Sequence, residues 1–164
     1  MQNLAPAPAP GRALRDALGR FATGVTVVTA AGADGPAGIT ANSFASVSLD
    51  PPLVHWCLGR DSARYPVFAG AGRFAIHVLS SAQRDFAARF TRHAEDFSGL
   101  EVEAGPDGVP LIAGCLARFL CRRVSLTEAG DHAVILGAVE AAEYGEGQPL
   151  VFSQGRYGSF APGH

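Results

Sequence analysis

Lysine is absent from this 164-residue chain, and all 13 of its basic residues are arginine. That absence removes two chemistries. A P-loop needs a lysine that reaches the nucleotide phosphates, and pyridoxal phosphate catalysis needs one for its Schiff base. Cysteine is scarce as well. Cys57, Cys115 and Cys121 are an odd number without a disulfide-rich pattern, and Cys115 and Cys121 do not form a C-x-x-C. The spacing suits neither a zinc site nor a redox couple and leaves free thiols in a reducing cytosol. No apolar run approaches the roughly 20 residues that span a bilayer. The opening M-Q-N-L-A-P-A-P-A-P lacks a basic stretch followed by an apolar core, so it does not read as a secretory signal, and the expected location is cytoplasmic. Charged residues make up only 17% and the net charge is −2, which gives no reason to expect nucleic acid or a membrane as partner. The Gly70-x-Gly72 pair precedes a strand instead of joining strand to helix, and neither G-x-S-x-G nor H-E-x-x-H occurs.

What is present is a globular composition, 48% hydrophobic, long enough for one substantial core. Residues 5–10 alternate Ala and Pro, so residues 1–10 read as a disordered tail, and residues 11–160 read as a single domain. The organising stretch is residues 38–52, G-I-T-A-N-S-F-A-S-V-S-L-D-P-P. One parity row, Ile39, Ala41, Ser43, Ala45, Val47 and Leu49, is small or apolar apart from Ser43. The other, Thr40, Asn42, Phe44, Ser46 and Ser48, carries short neutral polar groups around one aromatic. This is the alternation of a half-buried strand or pair of strands. A merely solvated face would carry Lys, Glu or Arg, whereas neutral hydroxyls and an amide suit a flat, polar-edged ligand laid against the sheet.

Helical spacing of Leu14, Leu18 and Phe21 predicts a helix from residue 11. The run V-T-V-V-T over residues 25–29 predicts a strand, followed by a G-A-D-G-P hairpin connection. Asp50-Pro51-Pro52 stops the next ladder. Strands are expected over residues 53–58 and 74–79, with a helical turn at residues 65–70 and a helix capped by Ser80 or Ser81 that runs through Phe90. Residues 91–110 read as an irregular excursion, and strands follow at residues 115–124, 132–139 and 150–152. His55 and Cys57 stand in an apolar run, where core placement outweighs a metal site. Many strands with two or three peripheral helices indicate a closed or nearly closed β-barrel.

Five stretches, in this order, resemble the flavin reductase-like family, the short reductase components of two-component flavin-dependent monooxygenases. They are F-A-T-G-V-T-V-V-T from Phe21, the stretch from Gly38, G-R-F-A-I-H-V-L from Gly72, G-D-H at Gly130 to His132, and Q-G-R-Y at Gln154 to Tyr157. Together they cover nearly everything from Leu14 to Tyr157. The resemblance implies a mainly β fold with peripheral helices, the FMN-binding split β-barrel, and a homodimer. It implies hydride transfer from NADH or NADPH to FMN or FAD and delivery of reduced flavin to a separate monooxygenase.

By the same resemblance, Thr40, Ala41, Asn42 and Ser43 border the isoalloxazine ring, with Ser46 further along; Ser48 completes the hydroxyl row. Arg60, Asp61 and Ser62 form the phosphate loop, and Arg84 and Phe90 line the ribityl or phosphate end. His132 is the expected contact to the nicotinamide or its diphosphate, and the residue on which catalysis is expected to depend. Arg156 and Tyr157 lie near the site, and no metal is expected. Hydride transfer needs stacked rings and no protein nucleophile, so positioning is the main task. Phe44 reads as a packing or dimer-contact residue. His77 stands where many relatives have Asn, and His55-Trp56 replaces more ordinary aliphatics. Two further readings differ in kind: a flavin-binding electron carrier without nicotinamide oxidation, and a pyridoxine-phosphate-oxidase-like enzyme. The second would need a denser set of cationic phosphate ligands than a lysine-free chain offers.

Overall fold

A computed structural model describes residues 11–163, so the disordered tail expected at residues 1–10 lies outside the described residues. The β-branched run after Gly24 forms β2 (Thr26–Gly32), which turns through Ala33 and Asp34 into its antiparallel neighbour β3 (Gly35–Ala41). The other half of the organising stretch is β4 (Ala45–Leu49). A cis Asp50–Pro51 peptide leads from it to β5 (Pro52–Gly59). With β6 (Arg73–Val78), β9 (Ala117–Ala129) and β10 (His132–Tyr144), these strands make a seven-stranded antiparallel sheet in the order β3-β2-β6-β9-β10-β5-β4.

This order explains the barrel. β3 and β4 are consecutive in sequence yet occupy opposite edges of the sheet. Only residues 42–44 join them, and a link of that length reaches about 10–14 Å at 3.3–3.6 Å per residue. The sheet must therefore curl until its two edges nearly meet. They do not pair with each other, so the barrel stays split along one seam, with the organising stretch running across it.

The interior is filled from facing strands and sealed at one end by α2 (Tyr65–Gly70). Trp56 meets Phe68 of α2 edge-on at 5.4 Å and Phe74 of β6 at 6.0 Å, among buried Val28, Leu58, Ile76 and Ile135. A second buried cluster lies on the outer side of β2, where Val25, Val27, Leu79, Ala87, Phe90 and Ile112 pack together. Two elements cover it. One is α3 (Arg84–Arg92), entered through a 3-10 turn whose Ser80 and Gln83 form a reciprocal capping box. The other is the hairpin of β7 (Val102–Ala104) and β8 (Pro110–Ile112), which begins inside the stretch read as irregular and ends just past it.

β9 and β10 run 13 residues each and extend past the predicted ends. The added end of β10 runs along the first residues of β9, with Arg118 Nη2 2.8 Å from Glu143 Oε1 in a directly opposed pair. β11 (Leu150–Ser153) pairs with β1 (Thr23–Gly24) and with β12 (Arg156–Ser159) in a small separate sheet. The Q-G-R-Y motif is thus a hairpin turn, its Gln154 and Gly155 at φ 51° and 75°, followed by a strand that was not expected.

Helix α1 (Arg12–Leu18) forms as its spacing predicts, but among the described residues nothing covers its apolar face, with Leu18 66% and nearby Phe21 80% exposed. The outward face of β5 and β10 is open in the same way. Leu53, His55 and Cys57 of β5, with Val134, Leu136 and Ala138 of β10, are only partly buried and carry no charge beyond the imidazole. His55 and Cys57 therefore stand outside the core, opposite in orientation to Trp56. Burial pushes the thiols of Cys115 and Cys121 up to about 11 and about 12, consistent with unreactive free cysteines.

Candidate functional site

The seam divides the predicted polar row by what each group already bonds. Thr40 Oγ1 donates to Ala87 O of α3 at 2.7 Å, so that hydroxyl holds the helix against β3. Ser43 Oγ accepts the Cys57 N–H at 2.9 Å and donates to Cys57 O at 3.3 Å. β4 pairing with β5 reaches only to Ala45 and His55, so the Ser43 side chain continues the ladder after the backbone has turned away. Phe44 packs inward against Phe119 at 5.6 Å, and Ala41 packs on the same core. Asn42 and Ser46 are exposed and Ser48 is half-buried, and these three side chains make no hydrogen bond among the described residues. The free polar groups at the seam are thus Asn42, Ser46 and Ser48, flanked by small side chains.

From Cys57 the ladder leads straight to a second group. Gly59 is opposite His132, so the loop after β5 and the G-D-H turn are neighbours. Gly130 adopts φ +65°, a left-handed conformation that glycine takes without strain, and this turns β9 back into β10. Arg60 N–H donates to Asp131 O at 2.9 Å, and Asp131 Oδ1 lies 2.7 Å from His132 Nδ1. The His132 hydrogen bond, with the charge of the same ring adding to it, holds the Asp131 carboxyl below its usual range.

The loop after β5 separates two cavities. One, of about 560 Å³, is lined by Ser62, Ala63 and Arg64 on the loop side, by Arg92 at the end of α3 and by Glu95 beyond it. The other, of about 320 Å³, is lined by Arg60, Asp61, Tyr65, Glu128, Gly130 and Asp131. The expected phosphate group Arg60-Asp61-Ser62 is therefore divided between them. Arg64, which the sequence reading passed over, is the half-buried cation beside Ser62. Its backbone N–H donates to Ser62 Oγ at 3.2 Å, and among the described residues its guanidinium reaches only Thr91 O, at 3.3 and 3.4 Å. Burial lowers the Arg64 pKa, with Glu95 pulling the other way. An S-x-R step at the end of a strand was the available signal for this residue.

The remaining predicted residues gather elsewhere. Arg84, at the start of α3, lies over the Tyr157 ring at 5.5 Å, and Tyr157 in turn meets Phe152 at 5.3 Å. Arg156 is exposed beside them. Phe90 does not fit its predicted place: its ring is fully buried between Gly38 and Phe97, closed to a ligand. The helical spacing that put Phe90 on one face with Phe86 also points it into the core.

The donor set suits a flavin. Neutral amide and hydroxyl groups with exposed backbone lie along the seam, and a hydroxyl and an underused guanidinium line the larger cavity beside it. No helix among the described residues is long and apolar enough to cross a membrane.

Residues 18–161 match the family described as a flavin reductase like domain. The chain is 54% identical over 150 residues to the FMN reductase (NADH) SmoA of Agrobacterium fabrum, covering 92% of this chain and 86% of that protein. It is 37% identical over 155 residues to the flavin-dependent monooxygenase reductase subunit HsaB of Mycobacterium tuberculosis, covering 92% and 83%. A further curated relative is longer, and the chain spans 48% of it. Among solved structures, the NADH:FAD oxidoreductase SgcE6 of Streptomyces globisporus, in complex with NAD and FAD fragments, superposes with a TM-score of 0.86 at 41% identity, covering 96% of this chain and 98% of that one.

Proposed function

The chain belongs to the flavin reductase-like domain family, and from that premise we propose that it oxidises NADH or NADPH and passes the hydride to FMN or FAD. The observation that carries this reading is the seam. Residues 42–44 link opposite edges of one sheet, leaving neutral polar groups and open backbone where a flat ring can lie, and Ser43 ties that link to the strand that ends beside His132. When bound, the flavin supplies the hydride-accepting ring. The chain's own residues bind and orient. Asn42 and Ser46, with the backbone of residues 40–43, offer hydrogen bonds to the ring edge, and Ser48 extends the row. Ser43 holds the crossover in register through Cys57. Ser62 and Arg64 supply a neutral donor and a fixed positive charge for a phosphate. His132 faces the nicotinamide side. The cluster of Arg84, Arg156 and Tyr157 borders the opposite end of α3 from Arg64.

We assign two further properties on the same footing. A second copy of the chain covers the apolar outer face of β5 and β10, and the reduced flavin goes to a separate monooxygenase; the Mycobacterium tuberculosis relative is named as the reductase subunit of a flavin-dependent monooxygenase. A reducing cytoplasm suits three unpaired cysteines.

The deciding measurement is the loss of reduced-nicotinamide absorbance with added FMN or FAD, using NADH and NADPH in turn. Turnover that depends on added flavin is the expected result, and no oxidation in any combination overturns the reading. His132→Ala should raise the nicotinamide KM about tenfold, the scale of one lost charge-assisted contact, and leave the flavin KM near wild type. An unchanged nicotinamide KM removes His132 from the site.

A further inference from the structure

The loop after β5 carries two arginines, Arg60 and Arg64, and they line different cavities. Arg60 is committed to the β9–β10 turn in three ways. Its backbone N–H donates to Asp131 O at 2.9 Å, its Nη1 donates to Gly130 O at 3.4 Å, and its Nη2 lies 3.5 Å from Glu128 Oε1. None of these contacts is to Ser62, although the sequence pairs the two as a phosphate loop.

The turn it clamps presents one imidazole. An ionised carboxylate can only accept, so the 2.7 Å contact with Asp131 Oδ1 requires the proton on His132 Nδ1. In the neutral ring Nε2 is then the bare nitrogen. It lies across the ladder from Gly59, whose missing side chain would come no closer to it than 3.7 Å. The charged groups around this ring come from four elements: Asp131 from the turn, Arg60 and Asp61 from the loop after β5, Glu128 from β9, and Arg15 of α1, whose charge acts on Asp131.

We propose that Arg60 and Asp131 are positioning residues for His132: Arg60 fixes the turn, and Asp131 fixes the ring with Nε2 outward and free. Arg60 thereby serves the nicotinamide side of the site and not the flavin phosphate. The inference rests on the reading of His132 as the nicotinamide contact, and the test separates the two.

The full chain is labelled with ¹⁵N-histidine, and the His132 ring shifts are compared in wild type, Asp131→Ala and Arg60→Gln, with His132→Ala identifying the signal. Wild type should show the Nδ1–H tautomer. Asp131→Ala should shift the ring toward the Nε2–H form that free histidine favours. In steady-state kinetics Arg60→Gln should raise the nicotinamide KM about three- to fivefold, the reach of an exposed ion pair with its hydrogen bonds. Flavin affinity, followed by quenching of flavin fluorescence, should stay unchanged, and Arg60→Lys should recover part of the KM loss.

Weakened flavin binding in Arg60→Gln with an unchanged nicotinamide KM overturns the assignment of Arg60. A His132 ring that keeps its tautomer in Asp131→Ala overturns the assignment of Asp131. If the ring responds as expected in a protein that oxidises no nicotinamide, the positioning stands and the reading of the reaction falls instead.

Discussion

His77 shows at the scale of one residue what pattern cannot convey. It is completely buried on β6, where its Nδ1–H donates to Val27 O at 3.0 Å and its Nε2 accepts the Ile112 N–H at 3.0 Å. A carbonyl can only accept and an amide N–H can only donate, so both bonds together require the neutral ring. Burial pushes the imidazole down to about 4; the Val27 bond opposes this, and Arg118 adds to it. The sign follows from linkage. In the unfolded chain histidine takes its proton near the ordinary 6.5, while the folded chain resists until about 4. The contribution is whole above 6.5, is lost as pH falls toward 4, and is flat below. Between pH 7 and 4.5 the loss is about 2–3 kcal/mol. Urea unfolding of wild type and His77→Asn at both pH values checks this. The acid loss of the variant should be smaller by that amount, and equal losses would show that His77 does not titrate with unfolding. From the sequence, His77 differed from a usual Asn; the reason, a bond to the end of β8, 35 residues away, is set by tertiary placement.

Among elements, the contact between α3 and β3 decides how the seam is supported. Gly38 N–H donates to Ala94 O at 2.7 Å just past the helix, and Thr40 reaches Ala87 O at the same distance. A Cβ on Gly38 would sit 2.5 Å from Phe90 Cδ1, and that ring cannot retreat because it is fully buried and braced by Phe97 at 5.0 Å. Gly38→Ala should therefore cost about 1–3 kcal/mol, as overpacking in a filled core does. Gly24→Ala, where nothing lies within 4 Å of the new methyl, is the control and should change stability by less than about 0.5 kcal/mol. Urea midpoints read both; equal effects at the two sites would refute the close packing at Gly38. The alternation over residues 38–49 was legible because parity is local. What parity could not carry is that its two halves lie on opposite edges of the sheet, since strand order depends on pairings far apart in the chain. The same limit hid β1, β7, β8 and β12, each too short for a period to register.

At the scale of the whole molecule, the site was legible as a set of residue types and was regrouped by the fold. Thr40 and Ser43 are occupied by the scaffold, Phe90 belongs to the core, and Arg60 and Ser62 face different cavities. No run of neighbouring letters distinguishes these cases, because each depends on which strand or helix arrives from elsewhere. The molecule also leaves apolar surface that its own elements do not cover. Leu53, Cys57, Val134, Leu136 and Ala138 turn outward from β5 and β10, and the strands on either side carry Val47, 52% exposed, and Val124, 48% exposed, each at a register shift beside them. A contiguous apolar face of this kind marks an interface more often than it stays wet. If a second copy covers it, the protein should sediment at twice its 17.0 kDa chain mass. Val47→Glu combined with Val124→Glu tests the face without touching the core, because both side chains are already half in solvent. In a single chain the two charges remain hydrated and stability should hardly change. Across a closed interface they would be desolvated without a partner, which costs several kcal/mol. Sedimentation velocity should therefore show the double variant as a monomer with an unaltered circular dichroism spectrum. A wild-type protein that sediments as a monomer at micromolar concentration would leave the face to a different occupant.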